Sequence, residues 1–438
     1  MEIIFSCCAG LDVHKRTIMV CVRRAGFRTQ VRQFGTTTTQ IQAMAKWLTE
    51  QGVTHVAMES TGVYWKPIWN LLEGHFELLL CNAQHIKKVA GRKTDVKDCE
   101  WIAQLLQFGL LRASFVPSRP IRELRELTRH RAQLVSEKTR VANRLQKVLE
   151  DANVKLSSVA SDLLGVSGRA MLQGLCDGEQ QPDQLAELAR GRLRSKRAEL
   201  RDALLGNVTE HHRFMLATLM QHLRGLEALE AQLSHRIEQL MTTVDAQTPD
   251  PPARSASTTP PDTPPAPSSA AVPFTEAVQL LDTIPGVDLR AAQCVIAELG
   301  NNMSQFPDEH HLASWAKVCP GNNESAGKAK PAPTGKGNRW LTRVLGQIAC
   351  SASRQTKTYF SAQYRRIAAR RGKARALTAV AHSIIVTIFH MLTKRVSFHD
   401  LGADYFHRRS PEKVTRYLVR RLETLGHHVT LQPQGAAV

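Results

Sequence analysis

The chain has 438 residues, enough for about three domains, and its 42% hydrophobic and 22% charged content excludes a wholly disordered protein. Lysine and arginine number 58 against 39 aspartates and glutamates, leaving a formal charge of +19 and a pI near 9.8. A surplus of that size calls for a polyanionic partner, either nucleic acid or an anionic membrane.

In chain order, Met1-Glu2 lacks the basic stretch of a secretory signal, so Ile3 to Asp12 reads as a first strand. Thr17 to Arg23 and Arg28 to Phe34 are further β-branched or apolar runs at short spacing, which predicts a meander. Helices are predicted over Thr39 to Gln51, Val63 to Glu73 and Asp95 to Phe108, with strands at Val53 to Glu59 and Phe76 to Cys81 between them. Three meander strands followed by alternating helices and strands is the element order of a ribonuclease-H-like α/β domain. Nine cysteines without a Cys-x-x-Cys pair argue against a disulfide framework or a zinc site and for a reducing cytosol.

From Ser118 to Leu149, positions 124, 127, 131, 134, 138, 141, 145 and 148 step by three and four. They form a heptad seam interrupted only by Arg131 and Lys138. A second helix, His222 to Met241, carries a matching apolar face. Two such helices make an antiparallel coiled-coil arm; an ordinary helical bundle explains the same pattern, and the two polar seam positions tilt the reading toward an exposed arm or dimer contact. Thr248 to Pro273 then packs 9 of the 20 prolines into 26 residues, a composition that predicts a semi-extended tether between two mobile halves.

Beyond it, helix, Ile284-Pro285-Gly286-Val287 and an alanine-rich helix have the layout of a helix-hairpin-helix unit. Its turn either presents backbone N–H groups to a phosphate or merely joins two packed helices. From Ser325 to His399 there are 15 lysines and arginines and no acidic residue, and phosphates are the natural counter-charge. Within that span Leu377 to Thr393 is the longest apolar run; His382, Ser383 and His390 interrupt it, and a core helix rather than a membrane span is expected.

Four carboxylates could carry chemistry. Asp12 ends the first strand, Glu59 ends a strand that a ribonuclease-H-like sheet sets beside it, and Asp95 and Asp98 share one helix face. Their convergence would suit Mg²⁺-dependent phosphoryl transfer, the ions relieving repulsion among the oxygens. Taken singly, each aspartate reads better as a cap or a solvated side chain. Ser325 lies in a loop of small residues near Lys328, Lys336 and Arg339, which composition alone would make a phosphate-binding turn.

Gly-Leu-Asp-Val-His-Lys at 10–15, Met-Glu-Ser-Thr-Gly-Val-Tyr-Trp at 58–65 and Lys-Thr-Asp-Val-Lys-Asp-Cys-Glu-Trp at 93–101 resemble the DEDD transposases of the insertion-sequence family numbered one hundred and ten, relatives of the pilin-gene invertases. Ile-Pro-Gly-Val at 284–287 and Pro-Gly-Asn-Asn-Glu-Ser-Ala-Gly-Lys at 320–328 resemble the family's C-terminal transposase domain, and 418–426 resembles the tail of some members. The proline-rich stretch has no counterpart.

The resemblance implies a RuvC-like (Holliday-junction-resolvase-like) domain at 1–115 in which Asp12, Glu59, Asp95 and Asp98 bind metal. Heptad spacing and proline content add a coiled-coil helical arm at 116–247 and the linker at 248–273, and the resemblance further implies a mainly α transposase domain at 274–396 and a tail at 397–438. Ser325 would be the nucleophile, and Lys328, Lys336, Arg339, Arg343 and Gly286 the nucleic-acid contacts. Also implied are donor and target DNA, a structured noncoding RNA that guides recognition, dimers paired into a tetramer, no membrane, and a cytoplasmic, nucleoid-associated location. The rivals are a metal-only hydrolytic nuclease or transposase and a non-catalytic nucleic-acid-binding protein.

Overall fold

The computed structural model describes residues 2–60, 62–82, 95–179, 181–247, 271–319, 324–325, 328–329, 334–335 and 337–431, and divides into two units, Met1–Pro117 and Ser118–Val438. In the first unit β1 (Cys7–Val13) pairs antiparallel with β2 (Thr17–Arg24), and β2 with β3 (Gln30–Gly35). On the other side of β1 lie β4 (His55–Glu59) and β5 (Glu77–Cys81), both parallel to it, and then the two-residue β6 (Ala113–Ser114), giving the order β3-β2-β1-β4-β5-β6. This mixed sheet is consistent with the ribonuclease-H-like domain expected from the sequence. The first strand is shorter than Ile3 to Asp12, because Ile4 and Phe5 donate their N–H groups to the Gln107 carbonyl instead of to a neighbouring strand.

Strand alternation sorts the core. Ala9, Leu11, Val20, Val56 and Met58 pack with α1 (Thr38–Glu50) and α2 (Trp65–Leu72) on one face of the sheet. Cys8, Ala57 and Cys81 pack on the opposite face with Ile102, Leu105 and Leu106 of α3 (Asp95–Gln107). Adjacent Cys7 and Cys8 therefore serve opposite faces, and all nine cysteines are free thiols. Burial pushes the Cys8 thiol up to about 12.

In the second unit α4 (Arg119–Asp151) and α9 (Glu210–Gln247) run antiparallel, as the pairs Asp151–His212 and Lys138–Glu230 require. The second helix is longer at both ends than the predicted His222 to Met241. Between them the chain forms α5 (Leu156–Val159), α6 (Val166–Cys176), α7 (Pro182–Glu187) and α8 (Arg197–Leu204), whose apolar faces share a core with residues 134–149 of α4 and 216–226 of α9. The heptad seam is thus partly spent on a helical cluster within the chain. Its polar positions are also satisfied internally: Lys138 Nζ lies 2.7 Å from Glu230, and Arg131 donates to Gln293 at 2.7 Å.

The other ends of α4 and α9 enter the C-terminal core. Ile121, Leu124, Ile237 and Met241 pack there with α10 (Phe274–Asp282), α11 (Leu289–Leu299), α12 (Glu309–Trp315), α13 (Arg339–Arg354), α14 (Tyr359–Arg371) and α15 (Lys373–Lys394). Asp245 of α9 accepts hydrogen bonds from the Phe274 and Thr275 N–H groups at the start of α10, at 2.6 and 2.8 Å. These flanks corrects the expectation of two halves moving about the proline-rich stretch: the segment leaves and re-enters one packed core. Residues 248–270 of it lie outside the described residues.

The apolar run Leu377 to Thr393 sits in α15, which buries Val380, Ile384, Ile385, Ile388 and Leu392 in that core. Among the described helices it is the one long and apolar enough to cross a membrane, and half of its apolar window is buried inside the protein. Of its polar interruptions, Ser383 accepts from Gln363 at 2.8 Å and His390 lies 3.9 Å from Glu309. The chain ends in α16 (Tyr405–Arg408), whose Phe406 stacks on Tyr359, and the exposed α17 (Pro411–Thr424).

Candidate active site

The parallel register of β1 and β4 pairs Cys8 with His55 and Leu11 with Met58. One further step sets Asp12 beside Glu59, on strands about 4.8 Å apart. Both carboxylates share the sheet face of Gly10 and Ala57, the face that α3 covers.

Gly10 decides how closely that helix lies. A Cβ on it would meet the Ala103 backbone nitrogen at 2.4 Å and the Cys99 carbonyl oxygen at 2.5 Å. Only a glycine lets the helix backbone rest on the strand there. Gln107 at the helix end bonds to Ile4 and Phe5, whereas Cys99 and Ala103 lie over Gly10, so α3 runs antiparallel to β1. Its first turn, with Asp95 and Asp98, is thereby directed to the Asp12 end of the strand.

The electrostatics agree with this placement. Asp12 is 7% exposed, and its carboxyl is held above the usual range by burial, with the charges of Asp98 and Glu59 adding to the rise and His14 opposing it. His14 Nε2 lies 3.0 Å from Asp12 Oδ2. Sequence analysis did not single out His14; its place two residues beyond Asp12, the spacing that puts extended side chains on one side, was the available signal.

Asp12, Glu59 and Asp98 are hard oxygen donors from three adjacent elements, a donor type that suits a divalent cation. Among the described residues no three His, Cys, Asp or Glu side chains gather closely enough to hold a metal on their own. The backbone of Asp95 belongs to α3, and its side chain lies outside the description.

In the second unit, Ser325 ends the two-residue strand β7 (Glu324–Ser325), paired antiparallel with β8 (Lys328–Ala329). The side chains of Ser325 and Lys328, and the whole of Lys336, lie outside the described residues. Asn338 caps α13, its Oδ1 accepting from the Trp340 N–H at 3.0 Å, while its amide donates to Glu298 at 2.5 Å. Glu298 is 1% exposed and also accepts two 2.7 Å bonds from Arg129 of α4, so one buried carboxylate ties the arm, α11 and the start of α13 together. Sequence reasoning missed Glu298, because its partners lie 40 and 169 residues away.

Gly286 takes φ +90°, and a Cβ there would come within 2.6 Å of the Ala352 nitrogen in α13. The packing alternative for the Pro-Gly turn thus accounts for this glycine. Arg339 and Arg343 are exposed at the start of α13, and Arg339 lies over the Trp340 ring at 4.8 Å. Arg365, Arg366, Arg370, Arg371, Lys373 and Arg375 are exposed on α14 and α15, and none lies within ion-pair distance of a carboxylate among the described residues. Solvated cations without a carboxylate partner among the described residues form a surface suited to phosphates.

Two family models match the chain. One, described as a transposase and specific to DEDD transposases of the IS110 group, covers residues 9–154 and so takes in Asp12, Glu59, Asp95 and Asp98. The other, described as Transposase IS116/IS110/IS902 family, covers residues 278–365 and takes in Gly286, Ser325, Lys328, Lys336, Arg339 and Arg343. No curated protein matches the chain. The proline-rich stretch falls outside both matches, which between them span the carboxylate sheet and the basic helical core, and the chain belongs to the IS110 family of transposases.

Proposed function

We propose that this transposase exchanges DNA strands through a phosphoserine intermediate on Ser325, assisted by Mg²⁺ at Asp12, Glu59, Asp95 and Asp98 and guided by a structured noncoding RNA. The observation that carries the metal half is the register placing Asp12 beside Glu59, with Asp98 close enough to raise the Asp12 carboxyl. Three like charges repel, and a divalent cation would remove that repulsion while polarising the scissile phosphate and stabilising developing oxyanions. His14 supports Asp12 by holding one carboxyl oxygen at 3.0 Å.

Ser325 Oγ would give up its proton and form a bond to phosphorus as the bond to a deoxyribose oxygen breaks and that oxygen leaves as a hydroxyl. A hydroxyl from another strand then reverses the step, so the number of phosphodiester links is kept. Cations of the Ser325–His399 span neutralise phosphate charge, donor and target DNA lie against them, and recognition of sequence is left to base pairing with the RNA. The reading includes dimers paired into a tetramer.

Ser325→Ala tests it. Loss of both recombination and the denaturant-resistant protein–DNA adduct is expected; strand cleavage persisting at the normal rate would favour the hydrolytic rival. Asp12→Asn should remove activity while leaving nucleic-acid affinity intact or raised, and unchanged turnover would end the metal assignment.

A further inference from the structure

Between α4, the Pro-Gly turn with α11, and α13 lies a cavity of about 620 Å³, within the size range of small-ligand sites. Its charge is unbalanced. Arg131, only 3% exposed, lines it, and among the described residues no carboxylate lies within ion-pair distance of it. Its guanidinium donates to neutral oxygens: Gln293 Oε1 at 2.7 Å, and Ser234 Oγ and the Arg290 carbonyl at 3.4 Å. Arg343 at the rim donates to Ser136 Oγ at 3.1 Å.

The two carboxylates of the lining are already engaged. Glu298 is taken by Arg129 and Asn338, and Asp288 caps α11 by accepting from the Ala291 N–H at 2.7 Å. Arg290 is paired with Glu230. A guanidinium buried without a counter-ion is costly, and an anion entering the cavity would relieve that cost. The rest of the wall mixes polar Thr128, Gln347, Ser351 and Gln355 with an apolar part formed by Val135, which is 41% exposed, Val344 and Ile348.

We propose that this cavity receives a single unstacked nucleotide of a nucleic-acid strand, its phosphate between Arg131 and Arg343 and its base against Val135, Val344 and Ile348. A paired duplex cannot reach such a recess, whereas an extruded nucleotide can. The site concerns binding alone and does not depend on strand exchange through Ser325, so the failure of either reading leaves the other standing.

The test uses the full chain and a DNA duplex carrying one bulged 2-aminopurine nucleotide, compared with the same duplex fully paired and with free 2-aminopurine nucleoside monophosphate. The bulged duplex should bind about tenfold or more tightly than the paired one, because the base buries apolar surface against these aliphatic side chains, with a change in 2-aminopurine emission. Ser351→Trp, which fills the cavity from its exposed rim, should abolish that preference and leave paired-duplex binding as it was. Arg131→Met should do the same; should that buried variant fail to fold, Ser351→Trp still decides. Equal binding of bulged and paired duplexes, a preference surviving Ser351→Trp, or free monophosphate binding as tightly as the bulged duplex would each overturn the assignment.

Discussion

Replacing Gly10 by alanine sets a methyl group against helix backbone rather than against a side chain that can turn away. The new Cβ would lie 2.4 Å from the Ala103 nitrogen, 2.5 Å from the Cys99 oxygen and 2.9 Å from the Ala103 Cα. Ordinary contacts are about 3.5–4.0 Å, so α3 must retreat by about 1 Å. Overpacking of this kind costs about 1–3 kcal/mol. For the unit Met1–Pro117, at about 4 °C per kcal/mol, the melting temperature should fall by about 4–12 °C. The same retreat carries Asp98 away from Asp12, and misplacement by about 1 Å can cost about 100-fold in rate. Thermal unfolding of the full chain and a plasmid recombination assay measure the two effects. Gly346→Ala is the control: nothing lies within 4 Å of a Cβ there, and alanine in that helix should be neutral or slightly stabilising. A Gly10→Ala protein with wild-type melting and wild-type recombination would refute the close packing of α3 as the device that positions Asp98.

Glu298→Ala strands Arg129 and Asn338 without their shared acceptor, and the urea midpoint should reveal a loss of about 3 kcal/mol, the low end for a broken buried pair because Arg129 is a third exposed. Arg370→Ala with Arg371→Ala should weaken nucleic-acid binding across sequences and reduce the slope of log affinity against log salt by about 2, read by titration at several salt concentrations. Two hydrogen bonds from Arg169 hold the Glu227 carboxyl below its usual range, with the Lys138 charge assisting. A depressed folded-state pKa gives stability present above the unfolded value and lost as pH falls through the folded one. Melting temperature recorded from neutral to acid pH should therefore drop more steeply in the wild type than in Glu227→Gln.

Strand and helix boundaries of the first unit were legible in the sequence to within a few residues, because alternation of period two and apolar spacing of three and four are local signals. So were the positions of Asp12 and Glu59 at strand ends and the acid-free span from Ser325 to His399. Local pattern also set the heptad seam of α4, whose Leu124, Leu134, Val141 and Leu145 are buried as the spacing required, while Leu127 and Val148 are half-buried beside the buried Thr128 and Leu149. What covers that seam was decided by contacts far apart in sequence: Arg131 meets Gln293 across 162 residues, and Arg125 reaches the Glu298 carbonyl across 173. No periodicity records such pairs, so an exposed arm and a packed one read alike until the chain is folded. The role of Gly10, the His14 contact with Asp12, and the joining of α9 to α10 by Asp245 across the proline-rich stretch have the same origin. Each depends on which backbone comes within bonding distance of which side chain, and tertiary packing alone fixes that distance.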